Sequence, residues 1–149
     1  MVQGIAHASF VAYCVTAIVL CLNLLFLWGY SGGVRTGAKS APNPEDAALF
    51  KVDLDPTDPP AVARVLRAHA NAQAMIFPFL LLGLLYVLAC GSFRAASVIF
   101  AVFVVARLAH SGFYLAGKQP WRTVSFAVSG LAMIALIVAL IWRLAVMPS

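Results

Sequence analysis

The sequence predicts an all-α integral membrane protein, a bundle of four transmembrane helices, and two observations support this fold class. First, 63% of the 149 residues are hydrophobic, 10% are charged, and the mean hydropathy is +0.96. A soluble domain has about one quarter charged residues. Second, the chain contains four apolar segments of the length a membrane helix requires, about 20 mostly apolar residues. We therefore expect residues 1–149 to form one transmembrane domain.

The first predicted span covers residues 5–30. No Lys, Arg, Asp or Glu precedes Arg35. A cleavable signal peptide begins with a positively charged region, so we expect this segment to be retained as a helix. Residues 31–59 follow as a predicted cytosolic loop, rich in Gly, Pro and charge. This loop contains all five acidic residues of the chain, which are Glu45, Asp46, Asp53, Asp55 and Asp58.

The next three spans are predicted at residues 60–91, 94–117 and 120–146. The connections between them are a few residues long, so these helices are expected to be antiparallel neighbours. The cysteines lie in apolar segments without CxxC spacing. This pattern indicates neither a disulfide framework nor a metal site.

The positive charges predict the orientation in the membrane, because Lys and Arg are enriched in cytosolic loops. Arg94 and Arg143 lie towards one side. The other side, with the first and third connections, has Arg35, Lys39, Lys51, Arg64, Lys118 and Arg122. We expect these connections to be cytosolic and both termini non-cytosolic, in a bacterial inner membrane or the endoplasmic reticulum. This distribution also accounts for the net charge of +5, so no nucleic-acid partner is expected.

Polar residues form one face on each of the second and third predicted helices. At about 100° per residue, the first of these faces holds Arg64, Arg67, Asn71 and Ala74. The second face holds Arg107, His110, Ser111 and Tyr114. Counted from the cytosolic ends at about 1.5 Å per residue, Asn71 and Arg107 both lie about 15 Å deep. Arg67 and His110 both lie about 10 Å deep. Equal depths on antiparallel neighbours predict one shared cavity.

Arg67 and Arg107 predict an anion site within this cavity. An arginine inside the bilayer is strongly unfavourable unless it faces protein, water or a partner. The four predicted helices contain no Asp or Glu, so the negative charge comes either from loop acids such as Asp46 or from a ligand. A purely structural role for both arginines stays open. Arg64 fits a boundary residue that extends to the headgroups.

The start of the fourth predicted helix, in KQPWRTVSF, indicates a second contact with negative charge. Pro120 suits the first turn of a helix, which places Arg122 and Thr123 at its N-terminus. Unpaired amides and the positive end of the helix dipole attract anions there. An arginine, a hydroxyl and these amides together could hold a thiolate or an oxyanion. The alternative is that Arg122 is only a positive-inside anchor.

Three segments resemble one known family: VRTGAKSAPNPEDA, RVLRAHANAQAMIFPFLLLGLLY and ARLAHSGFYLAGKQPWRTVSF. Their order, spacing and composition are similar to those of the membrane-associated proteins in eicosanoid and glutathione metabolism. Within that family, they look like the branch of the microsomal prostaglandin E synthases and microsomal glutathione transferases. The resemblance runs from about Val34 to Phe126. It implies a homotrimer of four-helix subunits, with glutathione held between adjacent subunits near the cytosolic face.

The resemblance also implies roles for individual residues. The glutathione-contacting positions of the family fall on Arg35, Arg67, Asn71, His110 and Tyr114. Arg107 lies on the same polar face as His110, so we expect it to bind glutathione as well. Arg122 falls on the arginine that stabilises the thiolate, and Thr123 stands where the branch has a serine. Asp46 falls on the aspartate of NPED that works beside this arginine, so it could supply the missing acid.

Four positions depart from the family pattern. Ala70 stands at a position that is often basic in the family. Ala72 and Ala74 replace acids, and Phe126 replaces a tyrosine. Losing one charged hydrogen bond weakens a complex about ten- to hundredfold. Without the acid at position 74 the cavity is more positive, which could favour a different thiol or a more anionic ligand.

We therefore expect a glutathione-dependent membrane enzyme of the transferase or peroxidase type, with glutathione as cosubstrate and no metal. Its thiolate would be conjugated to a lipophilic electrophile, or would reduce or isomerise a lipid peroxide, and this substrate would arrive from the bilayer. One alternative is a non-enzymatic lipid-binding or scaffold member of the same family. A small transporter is a further alternative, although such proteins use ionisable residues near the midplane, and here the polar residues gather at one end.

Overall fold

The computed structural model describes residues 7–146, and these form four long helices with a short folded segment between the first two. The elements in chain order are α1 (His7–Ala38), β1 (Ser40–Ala41), α2 (Pro44–Phe50), β2 (Asp53–Leu54), α3 (Pro60–Leu88), α4 (Phe93–Leu115) and α5 (Trp121–Ala145). The helices α1, α3, α4 and α5 are long and apolar enough to cross a membrane. The predicted fold class is therefore confirmed. The predicted start of the first span, residue 5, lies outside the described residues.

The helices pack with α3 and α4 at the centre of the bundle. Helix α1 packs on α3 and α4, and α5 packs on α4 and α3, whereas α1 and α5 do not touch within residues 7–146. Three buried rings form the middle of the core. Phe79 of α3 stacks on Phe103 of α4 at 3.6 Å between ring centroids, and its ring edge meets Phe100 at 5.7 Å. Rings in these arrangements stabilise the packing beyond simple area burial.

The outer surface of the bundle is apolar. Large side chains such as Ile18 and Leu25 of α1 and Leu131 and Ile141 of α5 are exposed. Such a surface would be unfavourable in water. In a bilayer it faces lipid, while the backbone polar groups are paired inside the helices. Four helices of this kind define a multi-pass integral membrane protein.

Helix α1 is longer than predicted and ends at Ala38 rather than at residue 30. Glycine has low helix propensity, so the glycines in SGGVRTGA favour a loop. Instead, the segment is helical, and two of its hydroxyl groups bond to the backbone of the same helix. Ser31 Oγ donates to the carbonyl oxygen of Trp28, and Thr36 Oγ1 donates to that of Gly32. Lys39 then has a positive φ of 51° and ends the helix. Arg35 consequently lies on the last turn of a helix, not in a loop.

The remainder of the predicted loop is a small folded segment. Strands β1 and β2 pair in parallel, with Ser40 opposite Asp53 and Ala41 opposite Leu54. Between them, α2 begins at Pro44, which suits the first turn because proline lacks an N–H. We call the end of the bundle next to this segment the loop end; there α1 and α4 end and α3 and α5 begin.

The opposite end of the bundle, the turn end, contains the tight turn between α3 and α4. Cys90 has a φ of 55°. Its N–H donates to the carbonyl oxygen of Val87, and the N–H of Gly91 donates to that of Tyr86, both at 3.0 Å. This is the Schellman arrangement for ending a helix. A side chain at position 91 would overlap the ring of Tyr86, so the turn requires glycine there. Because of this turn, α3 ends at Leu88 and not at residue 91.

Helix α3 also contains a proline, Pro78, in its interior. Proline removes one intrahelical hydrogen bond, yet membrane helices tolerate it where neighbouring groups compensate. The adjacent Phe79 is among the most buried side chains of the protein. The helix therefore continues through Pro78 to Leu88 with its buried face against α4.

Candidate functional site

The loop end contains the polar residues that the sequence predicted to form a site. They come from the last turn of α1, from α2, from the first half of α3, from the second half of α4 and from the first turn of α5. The structure separates them into a buried cluster on α3, α4 and α5, a pocket beside α1, and an exposed pair on α3.

The buried cluster begins with Asn71 and Arg107. Arg107 Nη2 donates a 2.9 Å hydrogen bond to Asn71 Oδ1, which links α4 to α3. This contact confirms the equal depth that was predicted for the two residues. Arg107 is 0% exposed, and its Nε and Nη1 have no partner within the described chain. Two donors of a buried guanidinium are thus left without an acceptor, which is energetically expensive.

His110, one turn further along α4, connects this helix to α5. Its Nδ1 lies 2.9 Å from the backbone carbonyl oxygen of Arg122. A carbonyl oxygen only accepts, so Nδ1 bears the hydrogen and donates it. In the neutral ring, Nε2 is then an acceptor, and it is buried without a partner among residues 7–146. The imidazole therefore has a fixed orientation and one unused polar atom.

Tyr114 and Arg122 form the outer part of the cluster. The guanidinium carbon of Arg122 lies 4.8 Å from the centroid of the Tyr114 ring, within the range of a cation–π contact. The same tyrosine ring meets His110 edge-on at 5.7 Å between centroids. The ring of Phe126 also packs against His110, at 5.8 Å between centroids. Arg122 is thus held over an aromatic ring at the first turn of α5.

Thr123 lies beside Arg122 in the same helical turn and is exposed. Its Oγ1 donates a 3.0 Å hydrogen bond to the side-chain oxygen of Gln119. Gln119 precedes Pro120 through a cis peptide bond in the turn between α4 and α5. In the single chain, the hydroxyl hydrogen of Thr123 is therefore already in use.

Arg35 and Asp46 lie in a second group, beside α1. They line a cavity of ≈440 Å³ together with Thr36 and Phe50. Arg35 Nη1 lies 2.6 Å from Asp58 Oδ1, and both side chains are partly exposed, at 24% and 20%. Asp46 Oδ2 accepts a 3.3 Å hydrogen bond from Asn43. Within the described single chain Asp46 forms no ion pair with Arg122, so the expected pairing between the two is not made there.

Arg64 and Arg67 are exposed on the outer surface of α3. The guanidinium of Arg64 lies against Gly117, whose φ of 68° places it in the turn between α4 and α5. Ala74, further along the same face, is exposed as well. The expectation of one cavity enclosed by both polar faces is therefore wrong for a single chain. The face of α3 points outwards, and only Asn71, at its border, reaches the buried cluster.

Three polar residues near the site were not singled out from the sequence. Ser125 is buried in α5, with its Oγ 3.5 Å from His110 Nδ1 and 2.8 Å from the carbonyl oxygen of Trp121. Asn23 Nδ2 donates a buried 3.2 Å hydrogen bond to Ser111 Oγ and joins α1 to α4. In the sequence, this contact is indicated only by the position of Asn23, a single amide side chain in the apolar middle of α1. Asp58, the partner of Arg35, had no signal beyond being one loop acid among several.

The fold and the polar cluster define a class of protein, namely a small four-helix membrane protein with a cationic site at one end of its bundle. The comparison with family models narrows this class. Residues 11–142 match the model of the MAPEG family, and the chain belongs to this family. The resemblance stated from the sequence is therefore confirmed.

Relatives in this family align over most of the chain. Prostaglandin E synthase of Homo sapiens is 34% identical over 135 residues, which cover 87% of this chain and 89% of the relative. Prostaglandin E synthase of Equus caballus is 33% identical over 135 residues, covering 87% and 88%. Microsomal glutathione S-transferase 1 of Rattus norvegicus is 36% identical over 118 residues, covering 75% and 76%.

Proposed function

We propose that this protein is a glutathione-dependent membrane enzyme that activates the glutathione thiol against lipophilic electrophiles or lipid peroxides. The position of Arg122 carries the proposal. Its side chain lies over Tyr114, its backbone carbonyl is bonded to His110, and it occupies the first turn of α5. A cation at a helix N-terminus favours the anionic form of a thiol placed beside it. Relatives named as a glutathione transferase and as prostaglandin E synthases support the same class.

The chemistry follows from a thiolate held beside Arg122. In a conjugation, the sulfur attacks an electrophilic carbon, forms the C–S bond and expels the leaving group with its electron pair. In a peroxide reduction, the sulfur attacks one peroxide oxygen, the O–O bond breaks, and the alcohol leaves after taking a proton. A second glutathione thiol then displaces the oxygen from the oxidised sulfur as water and forms the disulfide. Thr123 would donate to the thiolate after releasing Gln119.

The remaining cationic groups would bind the carboxylates of glutathione. Arg107 has two unpartnered donors and Arg67 is exposed on the adjacent face. Arg35 would contribute as well, either beside Asp58 or after exchanging it for a ligand carboxylate. Asn71 and the His110–Tyr114 pair would complete the polar contacts. Asp46 would act beside Arg122 once the two approach each other.

Assembly of three chains would bring the separated groups together. The outward face of α3 carries the charged side chain of Arg67 and the small side chain of Ala74, and both are exposed. A homotrimer that packs this face against a neighbour would place Arg67, and the pocket beside α1, near the buried cluster of another copy. We therefore propose that the complete site lies between subunits, near the cytosolic face.

The lipophilic substrate would approach along a groove between α4 and α5. This groove has a volume of ≈420 Å³ and is lined by apolar side chains that include Ala106, Phe113 and Val124. It reaches Trp121 and Ser125, which flank Arg122 and Thr123 in the sequence. A substrate dissolved in the bilayer could thus reach the first turn of α5 without crossing water.

The proposal is tested by exchanging Arg122. We expect Arg122→Ala to reduce glutathione conjugation of an activated aryl chloride about 100-fold or more, the usual effect of removing one group that stabilises developing charge. The absorbance of the bound thiolate should disappear as well. Arg94→Ala, at the turn end, serves as the matched control and should retain activity. Full conjugation activity in Arg122→Ala would contradict the mechanism.

A non-enzymatic lipid-binding or scaffold role is the second candidate, and one observation favours it. Ala74 is exposed next to Asn71, so the acid of the family pattern is missing from the face that would meet the ligand. Ala72 is 0% exposed in the core, so its difference from the family cannot affect a ligand directly. If wild-type protein shows no thermal shift and no thiolate absorbance with glutathione, this second role is favoured.

A further inference from the structure

The turn end contains a cleft that the proposed reaction does not use. Helices α3, α4 and α5 enclose a volume of ≈780 Å³ there, lined by Tyr86, Ser92, Ala95, Ala135, Trp142 and Arg143, among others. Ligand pockets in proteins commonly measure about 300–1,000 Å³. The lining is almost entirely apolar apart from its rim, which carries the guanidinium of Arg143.

Arg143 is fixed in position by the end of α3. The Schellman turn engages the carbonyl oxygens of Tyr86 and Val87, and Cys90 Sγ lies 3.9 Å from that of Leu88. The next carbonyl along the chain is that of Ala89. Arg143 Nε donates a 2.7 Å hydrogen bond to this oxygen. A single bond at Nε immobilises the planar guanidinium and leaves its two terminal nitrogens directed elsewhere. Arg143 also lines the cleft, so its restrained guanidinium brings two further donor nitrogens to the lining.

The turn end lacks negative charge in the part of the chain that is described. All five acidic residues lie between Glu45 and Asp58, at the loop end. Arg94, at the start of α4, is a second cation at the turn end. Among residues 7–146 the charge of Arg143 therefore has no counter-ion nearby, and an added anion would complement it. At the rim, the side chain of Ser92 makes no capping hydrogen bond to α4.

The inner wall of the cleft suits a hydrocarbon chain. Ala95 of α4 faces Ala135 and Ala139 of α5, and these small side chains leave space between the helices. Ala135 and Ala139 are one helical turn apart and so share a face. Trp142 is 71% exposed at the same level as Arg143. Tryptophan is enriched where a membrane protein meets the headgroup region, which places the rim at headgroup height.

From this combination we infer that the cleft is a binding site for one anionic phospholipid. Its phosphate contacts the terminal nitrogens of Arg143, and one acyl chain lies along Ala95 and Ala135. Guanidinium groups bind phosphate oxygens through two parallel hydrogen bonds. This site lies at the opposite end of the bundle from the proposed catalytic residues, so it does not depend on the proposed function.

The test measures lipid binding by the purified full-length protein. Native mass spectrometry in mild detergent, titrated with phosphatidylglycerol or with phosphatidylcholine of the same acyl chains, gives the affinity for each lipid. We expect selective binding of phosphatidylglycerol by the wild type. Arg143→Ala should weaken it about ten- to hundredfold, the usual effect of losing a charged hydrogen bond. Arg94→Ala removes an equal charge from the same end outside the cleft and should bind like the wild type.

Arg143→Ala could fail to fold, because the end of α3 loses the hydrogen bond that Arg143 donates to the carbonyl oxygen of Ala89. A second variant covers this case. Ala135→Phe fills the cleft, keeps Arg143 in place and should reduce the affinity for phosphatidylglycerol by a similar factor. Equal losses in Arg143→Ala and Arg94→Ala would overturn the inference, because they would indicate a general charge effect. Unchanged lipid binding in Ala135→Phe would also overturn it. So would loss of the oligomer in that variant, since the cleft would then be an interface between copies.

Discussion

Asn71 of α3 and Arg107 of α4 share a 2.9 Å hydrogen bond, and Asn71 is the sole hydrogen-bond partner of this guanidinium within residues 7–146. The bond crosses the central helix pair of the bundle. It compensates one donor of a fully buried cation. Within the described chain, the compensation of this buried guanidinium therefore depends on a single amide oxygen.

The first prediction concerns this oxygen. Asn71→Leu should lower the free energy of unfolding by about 1.5–3 kcal/mol, because a buried charged donor loses its acceptor. Chemical unfolding in detergent, followed by circular dichroism, measures the change. Ala70→Leu, an exposed position one residue earlier, is the control and should have little effect. Similar losses in both variants would show that the bond does not determine stability.

The second prediction concerns the replacement of Asn71 by an acid, which should strengthen its contact with Arg107. Asn71→Asp places a carboxylate beside Arg107, which otherwise has no acidic neighbour in any of the four long helices. We expect a higher melting temperature and weaker binding of glutathione, because the new acid occupies the donors that a ligand carboxylate would use. Calorimetry measures both quantities on one sample. Tighter glutathione binding would contradict an anion-binding role for Arg107.

The third prediction concerns His110 and the carbonyl oxygen of Arg122. The side-chain nitrogen of asparagine can replace Nδ1 as a donor, whereas alanine cannot. His110→Asn should therefore unfold at nearly the wild-type temperature, and His110→Ala should lose about 1 kcal/mol, the usual value of one hydrogen bond. Thermal unfolding of the pair measures this difference. Equal stability of both variants would show that the bond at 2.9 Å is not needed to hold α4 against α5.

The fourth prediction concerns the ion pair between Arg35 and Asp58, which joins α1 to the chain before α3. Asp58 has a φ of 60°, and asparagine tolerates this conformation well. Asp58→Asn thus removes the charge without changing the backbone. Partly exposed ion pairs contribute about 0.2–1 kcal/mol. Losing this energy should raise the population of the locally opened segment, and with it the rate of tryptic cleavage after Lys39 or Lys51, up to about fivefold. Glu45→Gln, an exposed acid in α2, is the control, and equal acceleration in both variants would rule out the pair as the cause.

The fifth prediction concerns Asn23 and Ser111, which join α1 to α4 in the apolar interior. Side-chain hydrogen bonds between membrane helices contribute about 0.6 kcal/mol on average. A double-mutant cycle with Asn23→Ala, Ser111→Ala and the combined variant should give a coupling energy of this size. Steric trapping or denaturant unfolding in detergent provides the free energies. Additive effects of the two substitutions would mean that the pair does not couple the helices.

Much of the fold could be predicted from the sequence because membrane spans are long and uniformly apolar. The spans from residue 60 onwards agree with α3, α4 and α5 to within a few residues. Counting depth along antiparallel helices was enough to pair Asn71 with Arg107. The end of α1 could not be predicted in this way, because its glycines have low helix propensity and its hydroxyl bonds to Trp28 and Gly32 become visible only in the structure.

The direction of the α3 polar face also could not be predicted. In a soluble helix the apolar face points inwards, but in a membrane helix both the lipid side and the bundle side are apolar. The sequence therefore placed Arg67 and Asn71 on one face without showing that Arg67 points out of the bundle. The pairing of Arg35 with Asp58 depends on a turn at Asp55–Thr57 and on the backbone of Asp58, which no periodic pattern encodes.

The proline inside α3 has a consequence for the main chain at Ala74. Pro78 has no N–H, so the carbonyl oxygen four residues earlier, that of Ala74, has no donor within the helix. Ala74 is exposed, and its methyl group shields this oxygen far less than a longer side chain would. The backbone itself thus offers a partial negative charge at this turn. An ammonium group reaching this turn would meet an acceptor built from the main chain.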